Sequence, residues 1–173
     1  MVRTRSKKGN SSQTFSHVNA KGQTRMVNVS EKVVTFRRAV AVGEVHLPKS
    51  IADAIKKNNV AKGNVLEIAR IGAIQAAKKT SEIIPLCHPI PLSHISVDFK
   101  LDDKIVRIQA EVSAEFKTGV EMEALTAVAV SSLIIYDMCK GIDKGMVIGP
   151  IELIEKEGGK SGAYFKKVVR KKK

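Results

Sequence analysis

The 173-residue chain contains no Trp, only two Tyr and five Phe, and just two Cys. Proteins that bind single strands stack bases on aromatic platforms. Here the aromatics are few, scattered and not interleaved with basic residues, which argues against that class. Two distant cysteines, Cys87 and Cys139, make no disulfide framework, and the basic start is not followed by an apolar h-region. The longest uncharged stretch in the helical region, 124–136, has 13 residues, whereas a membrane span needs about 20. The expectation is a soluble, reduced, cytoplasmic protein with no membrane partner.

Acid is missing from both ends. Residues 1–25 carry six basic groups and residues 166–173 carry six more, with no Asp or Glu in either stretch. A net charge of +13 by itself reads as a nucleic-acid binder. The 140 residues between hold 18 basic and 17 acidic groups, so the body is nearly neutral. This divides the chain into a disordered basic tail (1–14), one α+β domain (15–165) and a basic C-terminal tail (166–173). A basic nucleic-acid-associated protein, driven by the tails, is the alternative reading.

Within the body, Val33 to Leu47 is rich in β-branched residues and reads as a strand. A helix follows Pro48 and runs to about Asn59, and a second spans Val65 to Lys79. Three prolines between Ile84 and Leu92 exclude helix and central strand, leaving a rigid apolar segment. Strands are expected at Ile95–Leu101 and Ile105–Phe116 around an Asp102-Asp103 turn. A long helix from Thr118 to Cys139 comes next, then strands at Ile148–Ile154 and Tyr164–Val169. The long helix is apolar or small nearly all round from Leu125 to Ile135, so a subunit interface should cover part of it. The order predicts an antiparallel sheet with helices on one face.

Four groups of residues can carry chemistry. Asp137 and Lys140 share a helix face at i, i+3; they read as an ion pair at a solvated end or as a proton-transfer pair. Thr118 and Glu121 fit a capping box, while Glu123 has no such duty. The two carboxylates diverge by about 200° on a helix. They can serve one ligand only at the helix start, where each can accept two N–H bonds from a guanine or pterin edge. Cys87 and His88 sit in the proline-rich wall, and a metal there would need His94 and Cys139 as well, at spacings zinc sites seldom use. Lys32, Arg37, Lys62, Arg70, Lys140, Lys156 and Lys160 are the cations available to hold an anion if they converge. The run 158–162, Gly-Gly-Lys-Ser-Gly, lacks Walker A spacing but can cradle an anion through backbone N–H groups.

Three long segments, KKTSEIIPLCHP (78–89), TGVEMEALT (118–126) and YDMCK (136–140), closely resemble the family of molybdenum cofactor biosynthesis protein C, the cyclic pyranopterin monophosphate synthases. His17-Val18-Asn19, Arg25-Met26-Val27 and the 158–162 run are similar too, so the resemblance covers about Ser16 to Tyr164. It implies a ferredoxin-like α+β fold, assembled as a homohexamer of three dimers with sites at dimer interfaces. It implies a lyase that converts (8S)-3',8-cyclo-7,8-dihydroguanosine 5'-triphosphate to cyclic pyranopterin monophosphate and releases diphosphate. That rearrangement involves no redox change, and neither cofactor nor metal is expected. By the same resemblance Asp137 is the principal acid/base residue, with Lys140 and Lys62 as catalytic partners. Leu86, Cys87, His88, Met122 and Glu123 form the base-binding wall, with Glu121 as a further polar contact. Lys32, Arg37, Lys156 and Lys160 meet the triphosphate. Asn28 stands where the family more often has Asp, which should affect the N-terminal turn rather than chemistry. Lysines crowded by other cations should have lowered pKa values, which would suit them to proton transfer near neutral pH.

Overall fold

The alternating pattern read at 33–47 forms β1, Thr35–His46, in a computed structural model that describes residues 21–160 and 162–167. The expected N-terminal tail 1–14, the His17-Val18-Asn19 motif, Ser161 and residues 168–173 lie outside the described residues. Helix α1 (Lys49–Lys56) starts directly after Pro48, whose fixed φ suits a helix entry. Helix α2 (Val65–Lys78) is capped by Asn64, whose side chain accepts the Glu67 N–H at 3.2 Å. A single helical turn, α3 (Thr80–Ile83), precedes the proline-rich segment and has no counterpart in the sequence expectations.

Strands β2 (His94–Asp102) and β3 (Ile105–Phe116) form the expected hairpin. Asp103 takes φ 47° at its turn, a left-handed conformation that Asp tolerates better than most residues. Helix α4 (Glu121–Cys139) leads into β4 (Val147–Glu157) and the short β5 (Tyr164–Phe165). The pairings among β1–β5 are antiparallel, in the order β2-β3-β1-β4-β5. The chain is therefore α+β, as its pattern predicts.

Alternation along the strands decides which face is covered. Ala39, Ala41 and Val45 of β1 and Val106, Ile108, Ala110, Val112 and Ala114 of β3 are buried in one core with α2 and α4. The opposite face is charged: Arg38 reaches Glu111 at 2.7 Å, Glu155 at 2.9 Å and Glu157 at 3.2 Å. Helix α4 lies unusually close to the sheet. A Cβ on Gly43 would sit 2.5 Å from Val128 Cγ1, and one on Gly72 of α2 would overlap Ile134 Cδ1. The buried Ser131 and Ser132 hydroxyls donate to the Val128 carbonyl at 2.9 and 2.8 Å, so small polar residues cost little there. By length and composition α4 could cross a membrane, yet more than half of it is buried inside this fold.

Candidate active site

Helix α4 carries a functional group at each end. At its C-terminal end Asp137 faces the negative pole of the helix dipole, which by itself opposes a carboxylate. Two amines offset that. Lys140 Nζ lies 2.7 Å from Asp137 Oδ1, the i, i+3 contact read from the sequence. Lys62 Nζ lies 2.9 Å from Oδ2 and also donates at 2.9 Å to the Asp137 backbone carbonyl, one of the last-turn acceptors without a helical partner. Lys62 arrives from the α1–α2 loop, where the chain reverses through Gly63 at φ 99°. Hydrogen bonds from Lys140 first, then Lys62, lower the Asp137 pKa to about 2. Asp137 in turn raises Lys140 above the ordinary lysine value. For Lys140 this corrects the expectation of a pKa depressed by cation crowding. Each amine faces a carboxylate, so Lys140 is a firmly protonated ammonium beside a carboxylate that is fully ionised at neutral pH.

At the other end the expected capping box is absent. The helix starts at Glu121 rather than Thr118, Val120 is its N-cap, and no side chain caps it. The Glu121 carboxylate instead folds over Gly119, filling the space a Cβ would take. Glu123 is only 3% exposed. Burial raises its pKa to about 7, with the Glu121 charge adding to the rise against a bond to its own backbone N–H. The Glu121 charge thus acts on the buried Glu123 at the helix start. Cys87 is held nearby: burial raises its thiol pKa, and the Glu123 charge raises it further. Leu86 and His88 flank it, both half-buried, while Met122 is exposed. His88 Nε2 is 2.9 Å from the Val27 carbonyl, which ties the N-terminal segment to this wall.

Of the candidate anion-binding cations, Lys62 and Lys140 are at the Asp137 end, whereas Arg37, Lys156 and Lys160 lie toward the start of α4. Arg37, buried at 9% exposure, donates Nε to the Phe116 carbonyl at 3.3 Å and Nη2 to the Lys117 carbonyl at 3.5 Å, just before α4. Lys156 stands opposite Ala39 in the β1–β4 register and so shares the helix-covered side of the sheet. Lys160 follows Gly159, which lies against the Arg37 guanidinium. Lys32 is exposed in the segment that Lys117 anchors through the Ser30 carbonyl at 2.6 Å. Asn28 builds the turn there, its side chain accepting from Ser30 N at 2.9 Å and Ser30 Oγ at 2.6 Å. Arg70 does not join them. It is occupied by Glu67 at 3.3 Å, Asp98 at 3.8 Å, the Val97 carbonyl and the Phe99 ring, 5.4 Å away.

The two groups are far apart in one chain. Glu121 and Asp137 are separated by 16 residues of continuous helix, about 24 Å at 1.5 Å per residue. Cys87 and Cys139 fall at opposite ends for the same reason, so the four-ligand metal reading has no geometry behind it.

The sequence pattern described as the MoaC family matches residues 26–159, which takes in both ends of α4 and every candidate residue except Lys160. The chain belongs to the MoaC family. It is 51% identical over 153 residues to the cyclic pyranopterin monophosphate synthase of Desulforapulum autotrophicum, covering 87% of this chain and 94% of that one. It is 48% identical over 154 residues to the synthase of Bacillus subtilis strain 168, covering 87% and 91%. The synthase of Bacillus thuringiensis strain Al Hakam matches at 48% over 158 residues, covering 89% and 98%.

Some features of this MoaC-family site were not foreseen from the residues. The carbonyls of Asp137, Val27 and Phe116 act as acceptors that hold Lys62, His88 and Arg37. Backbone carbonyls leave no trace in side-chain identity. Gly119 and Gly159 are sequence signals of this packing, because a side chain, Glu121 or Arg37, presses against the bare backbone of each.

Proposed function

We propose that this chain is a cyclic pyranopterin monophosphate synthase, a lyase of molybdenum cofactor biosynthesis. It rearranges the cyclised dihydroguanosine triphosphate and releases diphosphate. The observation that carries the reading is Asp137 held between Lys62 and Lys140 at 2.9 and 2.7 Å, within a family match spanning most of the chain. The Lys140 ammonium donates a proton to the substrate and regains it from solvent, while the ionised Asp137 holds both amines in place. Glu121, Glu123, Cys87, His88, Leu86 and Met122 receive the base. Lys32, Arg37, Lys156 and Lys160 receive the triphosphate and offset the charge that develops on the leaving diphosphate.

One chain cannot place a single nucleotide against both ends of α4. The reading therefore takes the Asp137 end from one protomer and the Glu121 end from its partner. Exposed Ile71 and Leu133, which flank the close Gly72–Ile134 crossing, supply apolar surface for such an interface. The assembly is a homohexamer of three dimers in the cytoplasm, built from one catalytic domain over 15–165. The βαββαβ order of the main elements and the β2-β3-β1-β4 sheet order support a ferredoxin-like fold.

The test is Asp137→Asn, assayed with the cyclised nucleotide. Product formation should disappear while the circular-dichroism spectrum and melting transition stay intact. Full turnover in that variant would remove Asp137 from the chemistry.

A further inference from the structure

Arg37 is an unusual arginine. It is 91% buried, since only 9% remains exposed, yet among the described residues it has no carboxylate partner. Its two recorded hydrogen bonds are long, at 3.3 and 3.5 Å, and go to backbone carbonyls. A buried cation without a counter-ion is costly and is retained where an anion completes it. Neighbouring Arg38, by contrast, holds three carboxylates.

The guanidinium is packed against two glycines at the end of β4. Gly158 and Gly159 both have left-handed backbones, at φ 92° and 80°. A Cβ on Gly159 would overlap Arg37 Nη1 and lie 2.9 Å from Cζ and 3.2 Å from Nη2. A Cβ on Gly158 would overlap the Phe36 carbonyl and lie 3.1 Å from Arg37 Cδ. The two sites therefore respond differently. At Gly158 the obstacle is backbone, so the fold must shift. At Gly159 the obstacle is the far end of a side chain, so the guanidinium can swing away, and the strain left is that of a side chain on a left-handed backbone.

We propose that Gly158 and Gly159 are positioning residues that seat the Arg37 guanidinium in one orientation, ready for a diphosphate group, by leaving open beside their bare backbone the space it fills. Any side chain at 159 evicts it. This rests on Arg37 being a phosphate contact, as the proposed function has it. The clamp is prepared before the anion arrives, so Arg37 loses little rotamer freedom on binding.

Inorganic diphosphate, titrated calorimetrically into the full-length protein, is the probe. Arg37→Ala should weaken its binding about 10-fold or more, the scale of a lost charge-assisted hydrogen bond. Gly159→Ala should weaken it by a similar factor of about 10 without loss of the folded state. The deciding measurement is a double-mutant cycle with Arg37→Lys, whose shorter side chain carries no guanidinium to evict. In that background Gly159→Ala should change the affinity by less than about twofold. Backbone strain alone would carry the same loss into both backgrounds, and that result overturns the proposal. Undiminished binding by Gly159→Ala in the Arg37 background also overturns it. If Arg37→Ala itself binds diphosphate normally, the phosphate role of Arg37 fails first and the clamp has nothing to position.

Discussion

A 1:1 mixture of Asp137→Asn and Arg37→Ala chains should recover activity that neither has alone. The reasoning starts from α4. Its 16-residue span between Glu121 and Asp137 sets the two groups about 24 Å apart, and Arg37 is fastened to the carbonyls just before that helix. If a site takes one end from each protomer of a twofold dimer, the defects in a mixed dimer sort unevenly. One of its sites receives both lesions and the other receives neither. Random assortment makes half the dimers mixed, and half the sites in those are intact, so the mixture should reach about 25% of wild-type turnover. The two proteins would be unfolded together in urea, refolded, and assayed for pterin product, with native mass spectrometry confirming that mixed dimers form. If mixed dimers form and activity stays at the average of the separate variants, each site lies within one chain. The separation along α4 would then have been misread as a division between protomers.

Two further outcomes follow from the titrating groups. Burial first, then Glu121, raises Glu123 to about 7 from an ordinary 4.5. The native state therefore holds a proton that the unfolded chain releases between those values, and stability falls as pH rises from about 4.5 to 7. The loss is on the order of 3 kcal/mol at most. Urea midpoints should show Glu123→Gln gaining on the wild type across that window, and parallel pH profiles for the two proteins would refute it. At the other end of the helix, Lys140→Gln should let the Asp137 pKa rise from about 2 toward 3.8, because the Lys140 hydrogen bond is the largest cause of its depression. Carboxyl NMR shifts through an acid titration would show it, and an unmoved pKa would assign the effect to Lys62 alone.

The local layout was legible where one short-range pattern ruled. Strand β3 begins and ends at the expected residues, Ile105 and Phe116, because alternation and the Asp102-Asp103 turn act within a few positions. The Asp137–Lys140 contact was legible because helical spacing makes it. The capping box was misread. Thr118 and Glu121 have the right spacing, but the chain enters α4 through Val120, and Glu121 folds over Gly119 instead. What occupies Arg70 was not legible either. Its residue type suits an anion, but β2 brings Asp98, Phe99 and the Val97 carbonyl to it across the fold. The basic C-terminal stretch is not wholly separate from the domain either, since Lys166 pairs with Glu152 and its N–H bonds the Ile154 carbonyl at 2.8 Å.

The residues alone settle the α+β class, the near-neutral body and the identity of the chemical groups. These follow from composition, periodicity and ordered motifs, which are properties of the chain read in order. Tertiary structure alone decides how those groups are charged and where they meet. Lys62 reaches Asp137 across 75 positions, Glu123 is desolvated by burial, and Gly159 closes on Arg37 from 122 residues away. Charge state depends on distance and dielectric in three dimensions, and neither is a property of order along the chain.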